Sequence, residues 1–159
     1  MDQAIQAALQ FLVDQHSFHR SVREGAVSYQ SGVLVITPSF DERDGFETDI
    51  EFRSPSPCKV AVGTLLCALD VSAPQELNSH AAFLQSRIGT LTASPPTIHD
   101  DLSALRFWHA PPRRQYWGKS ITMDRSSIEV ERERLVRLQS YFDYTPGSSE
   151  DHDSRSAVV

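Results

Sequence analysis

Cysteine is nearly absent. The 159 residues hold two, Cys58 and Cys67, and their spacing matches no zinc motif. Both lie in an apolar segment, which points to two buried free thiols in a reduced compartment. No basic region followed by an apolar core opens the chain, so no signal peptide is expected. No apolar run approaches the roughly 20 residues a membrane helix needs, so a cytoplasmic location without membrane contact is expected. A glycine-rich phosphate loop, a Gly-x-Ser-x-Gly elbow and a zinc pattern are all missing, so no cofactor and no enzyme signature is read. No internal repeat is present. Positive charge is also short: the formal net charge is −6. That argues against direct nucleic-acid binding, whose footprint is basic. It permits a basic protein partner, and it equally fits ordinary solubility.

The clearest positive signal runs from Gly25 to Arg53. Ser31-Gly32 separates two β-rich runs, and Asp44-Gly45 separates the second from a third. Both dipeptides offer the positive-φ residue of tight hairpins. In the third run Phe46, Thr48, Ile50 and Phe52 alternate with Glu47, Asp49, Glu51 and Arg53, which gives one apolar and one mostly acidic face. Pro38 lacks an N–H, so a bulge or an unpaired site is expected there. The pattern predicts a three-stranded antiparallel meander with one wet face.

Helices flank it. Asp2 is placed to cap a first helix to about Ser17, with Ile5, Ala8, Leu9, Leu12 and Val13 on one stripe. Phe18 then anchors a linker into the sheet. After the Ser54-Pro55-Ser56-Pro57 break, Leu65, Leu66 and Leu69 predict a helix from about Gly63, although Lys59 to Val62 also reads as a short buried strand. A further helix follows Pro74, with Leu77, Phe83, Leu84, Ile88 and Leu91 periodic. Another spans Thr97 to Trp108, with Asp100 and Asp101 in its first turn. A last one starts at Ser126, with Ile128, Leu135, Val136, Leu138 and Phe142 apolar. Its Glu129, Glu131 and Glu133 face Arg132, Arg134 and Arg137 as a solvated ladder. Residues 1–144 are expected to form one α+β domain and 145–159 a disordered polar tail.

Few constellations could carry chemistry. His80, His99 and Asp100 imitate the ligand order of metal-dependent hydrolases, with Asp124 or Asp143 downstream. Helix capping explains Asp100 more simply. His16 and His19, three apart at a helix end, lack a second ligand pair. Two surface features remain. One is the acidic set Asp41, Glu42, Glu47, Asp49 and Glu51. The other is the segment holding Trp108, Arg113, Arg114 and Trp117, residue types that dominate interface hot spots. Its competing reading is a core-closing helix end with snorkelling arginines.

Val27-Ser28-Tyr29-Gln30-Ser31, the apolar strand Val33 to Thr37, the stretch Phe40 to Glu47 and the run Val62 to Leu69 together resemble small bacterial immunity-type proteins of polymorphic toxin systems. The resemblance covers about the first half of the chain and transfers no functional residue. It implies a non-catalytic protein that binds and blocks a toxin or effector. On this reading the acidic set steers a basic partner and Trp108, Arg113, Arg114 and Trp117 anchor it. The alternatives are a small metal-dependent hydrolase using His80, His99 and Asp100, or a structural subunit of a larger assembly.

Overall fold

The computed structural model describes residues 2–53, 57–105 and 125–146, with backbone only at 125–128. The expectations placed on residues 106–124 and 147–159, including the helix end at Trp108 and most of the polar tail, lie outside the described residues.

The protein is α+β. Its sheet has five antiparallel strands in sequential order rather than the three expected. They are β1 (His19–Arg23), β2 (Ala26–Gln30), β3 (Leu34–Asp41), β4 (Gly45–Phe52) and β5 (Cys58–Ala61). The five described helices are α1 (Asp2–His16), α2 (Val62–Ala68), α3 (Leu77–Thr92), α4 (Pro96–Ala104) and α5 (Arg125–Phe142). Both additional strands have a physical cause. Glu24 and Gly25 hold φ of 52° and 80°, the two consecutive positive values of a type I′ turn. They fold Phe18's expected linker back as β1, with Arg23 opposite Ala26. At the other edge Cys58 to Ala61 pairs with Phe52 to Asp49 and passes straight into α2. Strand and helix share a run in which one had been weighed against the other.

The two remaining hairpins differ from each other. Gly45, at φ 84°, closes a three-residue loop between Asp41 and Gly45. Asp41 Oδ1 accepts hydrogen bonds from the amides of Arg43 at 2.8 Å and Asp44 at 3.2 Å. Gly32 has no positive φ, contrary to expectation. That turn is held by Ser31 Oγ, which accepts from the amides of Val33 and Leu34. Pro38 is neither bulged nor displaced, since it stands in unbroken register opposite Thr48. The paired stretch of β2 reaches only Ile36, so a missing N–H at Pro38 costs no bond to that strand.

Register defines the inner face. Arg20, Tyr29, Ile36, Ile50 and Val60 form one row across all five strands. Tyr29, Ile36 and Ile50 are fully buried, with Leu34 and Phe52 beside them. Each such side chain contributes about 1.5–3 kcal/mol by leaving water. The helices cover this face. The α4 helix lies against β5, α2 against β4 and β5, and α3 against β4 and α1. Leu9 and Leu12 of α1, Phe83 and Leu84 of α3, and Leu138 and Phe142 of α5 join the same core. Cys58 and Cys67 are both buried thiols outside any disulfide, as expected.

One polar bridge fastens the layers. His80 of α3 and Thr48 of β4 are both fully buried. His80 Nε2 lies 2.6 Å from the Pro74 carbonyl oxygen. A carbonyl only accepts, so Nε2 carries the proton and donates it. Nδ1, 2.8 Å from Thr48 Oγ1, is then the acceptor of the threonine hydroxyl. The loop holding Pro74 also docks on the start of β4, where the Phe46 amide donates to the Gln75 carbonyl at 3.1 Å. Close approach needs small residues there. A Cβ on Gly63 would stand 3.3 Å from the Pro74 oxygen, and one on Gly45 would stand 3.2 Å from the Gln75 oxygen.

Thr48→Val keeps the shape and removes the donor, leaving Nδ1 buried and unmet. The expected loss is about 1–3 kcal/mol in urea unfolding. An unchanged midpoint would show that the bridge is not under load.

Candidate functional site

The sheet's other face holds the predicted acidic residues. His19, Gln30, Val35, Glu51 and Lys59 form one row across it, and Thr37, Asp49 and Ala61 share the next. Small polar side chains fill much of the remainder. Gln30 donates to Ser28 Oγ at 3.2 Å and accepts from Arg53 at 3.0 Å. The alternation read from Phe46 to Arg53 holds from Glu47 onward: Glu47 and Glu51 are exposed, Asp49 half-buried, and Thr48, Ile50 and Phe52 buried, while Phe46 is only half-buried.

The acids do not all serve the surface alike. Asp41 and Glu42 are exposed at the β3–β4 tip, beside the Phe40 and Phe46 rings, which touch at a tilt with centroids 4.8 Å apart. One Asp41 oxygen is committed to the turn. Asp49 pairs with Lys59 at 3.4 Å, a contact open to water and worth little. Glu47 leans onto the start of α2. Its Oε1 lies 3.6 Å from where a Gly63 Cβ would be, and the Gly63 amide bonds to it. The residue preceding α2, Ala61, offers no side-chain cap, so Glu47 supplies the acceptor and negative charge for that end. Partial loss of water around its carboxylate, and then the neighbouring Asp49, raise its pKa above the ordinary carboxylate value, against the bonds from the Thr48 and Gly63 amides. Within this set Glu51 and Glu42 thus remain the acids that make no bond to the fold among the described residues. Trp108, Arg113, Arg114 and Trp117 lie outside the described residues.

The hydrolase constellation is not assembled. Both His80 nitrogens are engaged by Thr48 and Pro74. His99 lies against the Phe52 ring, centroids 4.4 Å apart, and Asp100 is exposed on the other side of α4. Pro95 precedes α4, and no side chain caps it, so Asp100 has no capping role. Among the described residues no group of three or more His, Cys, Asp and Glu is placed to hold a metal ion. No helix among them is long and apolar enough to cross a membrane.

Two polar contacts were missed by sequence reasoning. Asp101 is buried, and Arg137 of α5 donates to both its oxygens at 2.8 Å, with Arg134 Nε at 3.6 Å. The expected solvated ladder on α5 is thus partly turned inward, although Arg134 does also pair with Glu131. Val136, expected to be apolar core, is 59% exposed. The available signal was spacing: Asp101 falls three residues after the buried Ile98, and His80 three before the buried Phe83. No family model, no curated protein and no solved structure matches the chain.

The histidines give a pH prediction. Burial lowers the pKa of His80 despite the Pro74 bond, and lowers that of His99 despite Asp100. The unfolded chain binds protons near the ordinary value of 6.5 while the folded chain resists. Stability is therefore whole above that pH and is lost as the pH falls below it, through the lowered folded values. Glu47, with its raised pKa, acts in the opposite sense, in the carboxylate range. Both His99 nitrogens are buried without a hydrogen-bond partner among the described residues. His99→Leu should accordingly stay within about 1 kcal/mol of the parent at pH 7.5, or exceed it, and lose stability less steeply towards pH 5.5. Denaturant unfolding across that range checks both. A steeper slope in the variant would contradict the assignment.

Proposed function

We propose that the protein is a non-catalytic protein-binding module whose partner is basic, and that its role is that of an immunity or anti-effector protein. The carrying observation is the division of the sheet. The inner face is spent on the core, while the outer face and the β3–β4 tip present Glu51, Glu42, Asp41 and Asp49 on rigid backbone. Acids held in this way raise encounter rates with a basic surface and act less on the rate of departure. The exposed Phe40 beside them adds apolar area at the tip. The resemblance of the first half of the chain to immunity-type proteins supports the same reading.

The direct test is co-expression with the protein encoded by the adjacent gene, followed by size-exclusion chromatography and a growth assay. A one-to-one complex with relief of toxicity is expected, and absence of both would overturn the proposal. Within such a complex, Glu42→Lys with Glu51→Lys should leave the melting temperature unchanged, because neither side chain holds the fold. Association at low salt should slow by about tenfold or more, and the difference should shrink at high salt. Equal association rates for parent and variant would remove the acidic face from the interface.

A further inference from the structure

A second surface stands apart from the acidic face and has the opposite charge. The β1 strand is one end of the sheet, and its far side has no neighbouring strand among the described residues. Its sequence, His19-Arg20-Ser21-Val22-Arg23, holds no carboxylate, and β2 beside it holds no charged residue at all. The nearest acid in sequence, Glu24, belongs to the turn. In a two-residue hairpin the positions flanking the turn exchange both backbone bonds, and the pattern then alternates. Arg23, Ser21 and His19 therefore bond to β2, while the N–H and C=O of Arg20 and Val22 face outward. Val22 is 54% exposed.

The side chains at this edge are also unmet. Arg20 Nε is buried and has no hydrogen-bond partner, and no hydrogen bond or ion pair is made by the Arg20 side chain among the described residues. Tyr29, its direct cross-strand neighbour, is fully buried and its hydroxyl has no partner among the described residues either. Direct neighbours in an antiparallel pair have Cβ atoms about 4.5–5.5 Å apart and share a face. A buried donor carried by a cation is normally satisfied, and leaving it unmet is costly. Tyr29 is closed off, whereas Arg20 is only half-buried, so its guanidinium is the group an incoming carboxylate can meet at this edge.

We propose that β1 receives an extended, carboxylate-bearing segment of a partner protein as a sixth antiparallel strand. Backbone bonds run to Arg20 and Val22, and one carboxylate of the segment is held by Arg20. Charge complementarity selects this occupant. A second copy of β1 would set His19 and Arg23 against their own kind, which disfavours self-pairing. This contact does not rest on the acidic face and can hold even if that face binds nothing.

The test uses the full chain and a labelled octapeptide of alternating valine and threonine with glutamates on one face, alongside its glutamine and lysine counterparts. Fluorescence anisotropy gives the affinities, and amide exchange by NMR locates the contact. The glutamate peptide should bind about tenfold or more tightly than the glutamine peptide, and salt should weaken it. It should slow exchange at Arg20 and Val22. Arg20→Gln should abolish the preference for glutamate, and Arg23→Gln should preserve it. Equal binding of all three peptides would overturn the proposal. So would an undiminished preference in Arg20→Gln, or protection of the Arg20 and Val22 amides before any peptide is added.

Discussion

The neutral imidazole of His80 is the contact on which the arrangement of layers depends. It reaches a strand through Thr48, a loop through Pro74 and a helix through its own backbone. Only one protonation state satisfies both neighbours as drawn: Nε2 donates to a carbonyl and Nδ1 accepts from a hydroxyl. A buried polar group without such partners would cost stability, and with them it specifies where α3 sits against β4. The loop that Pro74 belongs to is pressed against Gly45 and Gly63, so the same contact fixes the entry to β4 and the beginning of α2. Ala73, in that loop at φ 53°, holds a backbone conformation that L residues rarely adopt, which is tolerated where the surroundings impose it.

Closing the inner face in this way determines what is left for function. A sheet whose apolar side is consumed by helices has its outer face and its uncovered edge to offer. In this protein they differ in sign. The outer face and the β3–β4 tip carry Glu51, Glu42 and Asp41, while the β1 edge carries His19, Arg20 and Arg23. The acidic side is already partly engaged internally, by Lys59 and by the Gly63 amide. The basic edge has no such partners among the described residues.

Much of the sheet was legible because it is written locally. Asp44-Gly45 and the alternation from Phe46 to Phe52 need no distant residue to be understood. The β1 strand was not legible because Val22 is its single apolar residue, and edge strands with little burial carry a weak period-two signal. Its turn, Glu24-Gly25, was the overlooked cue. The β5 strand was obscured because it is four residues long and runs into α2 without a loop. The polar contacts were illegible for a different reason. Thr48 and His80 are separated by 32 residues, and Asp101 and Arg137 by 36, so each partner looks locally like an ordinary strand or surface residue. Tertiary pairing turned His80 from a candidate ligand into a structural bridge, and Arg137 from a solvated charge into the partner of a buried acid.

Nitrogen-15 NMR of the histidine rings, followed from pH 8 to pH 5, tests the central claim most directly. The account predicts that His80 shows a protonated Nε2 and an unprotonated Nδ1 at neutral pH. It also predicts that the ring stays neutral below the ordinary histidine value while the fold persists. A protonated Nδ1, or titration of the His80 ring at the ordinary value with the fold intact, would contradict it.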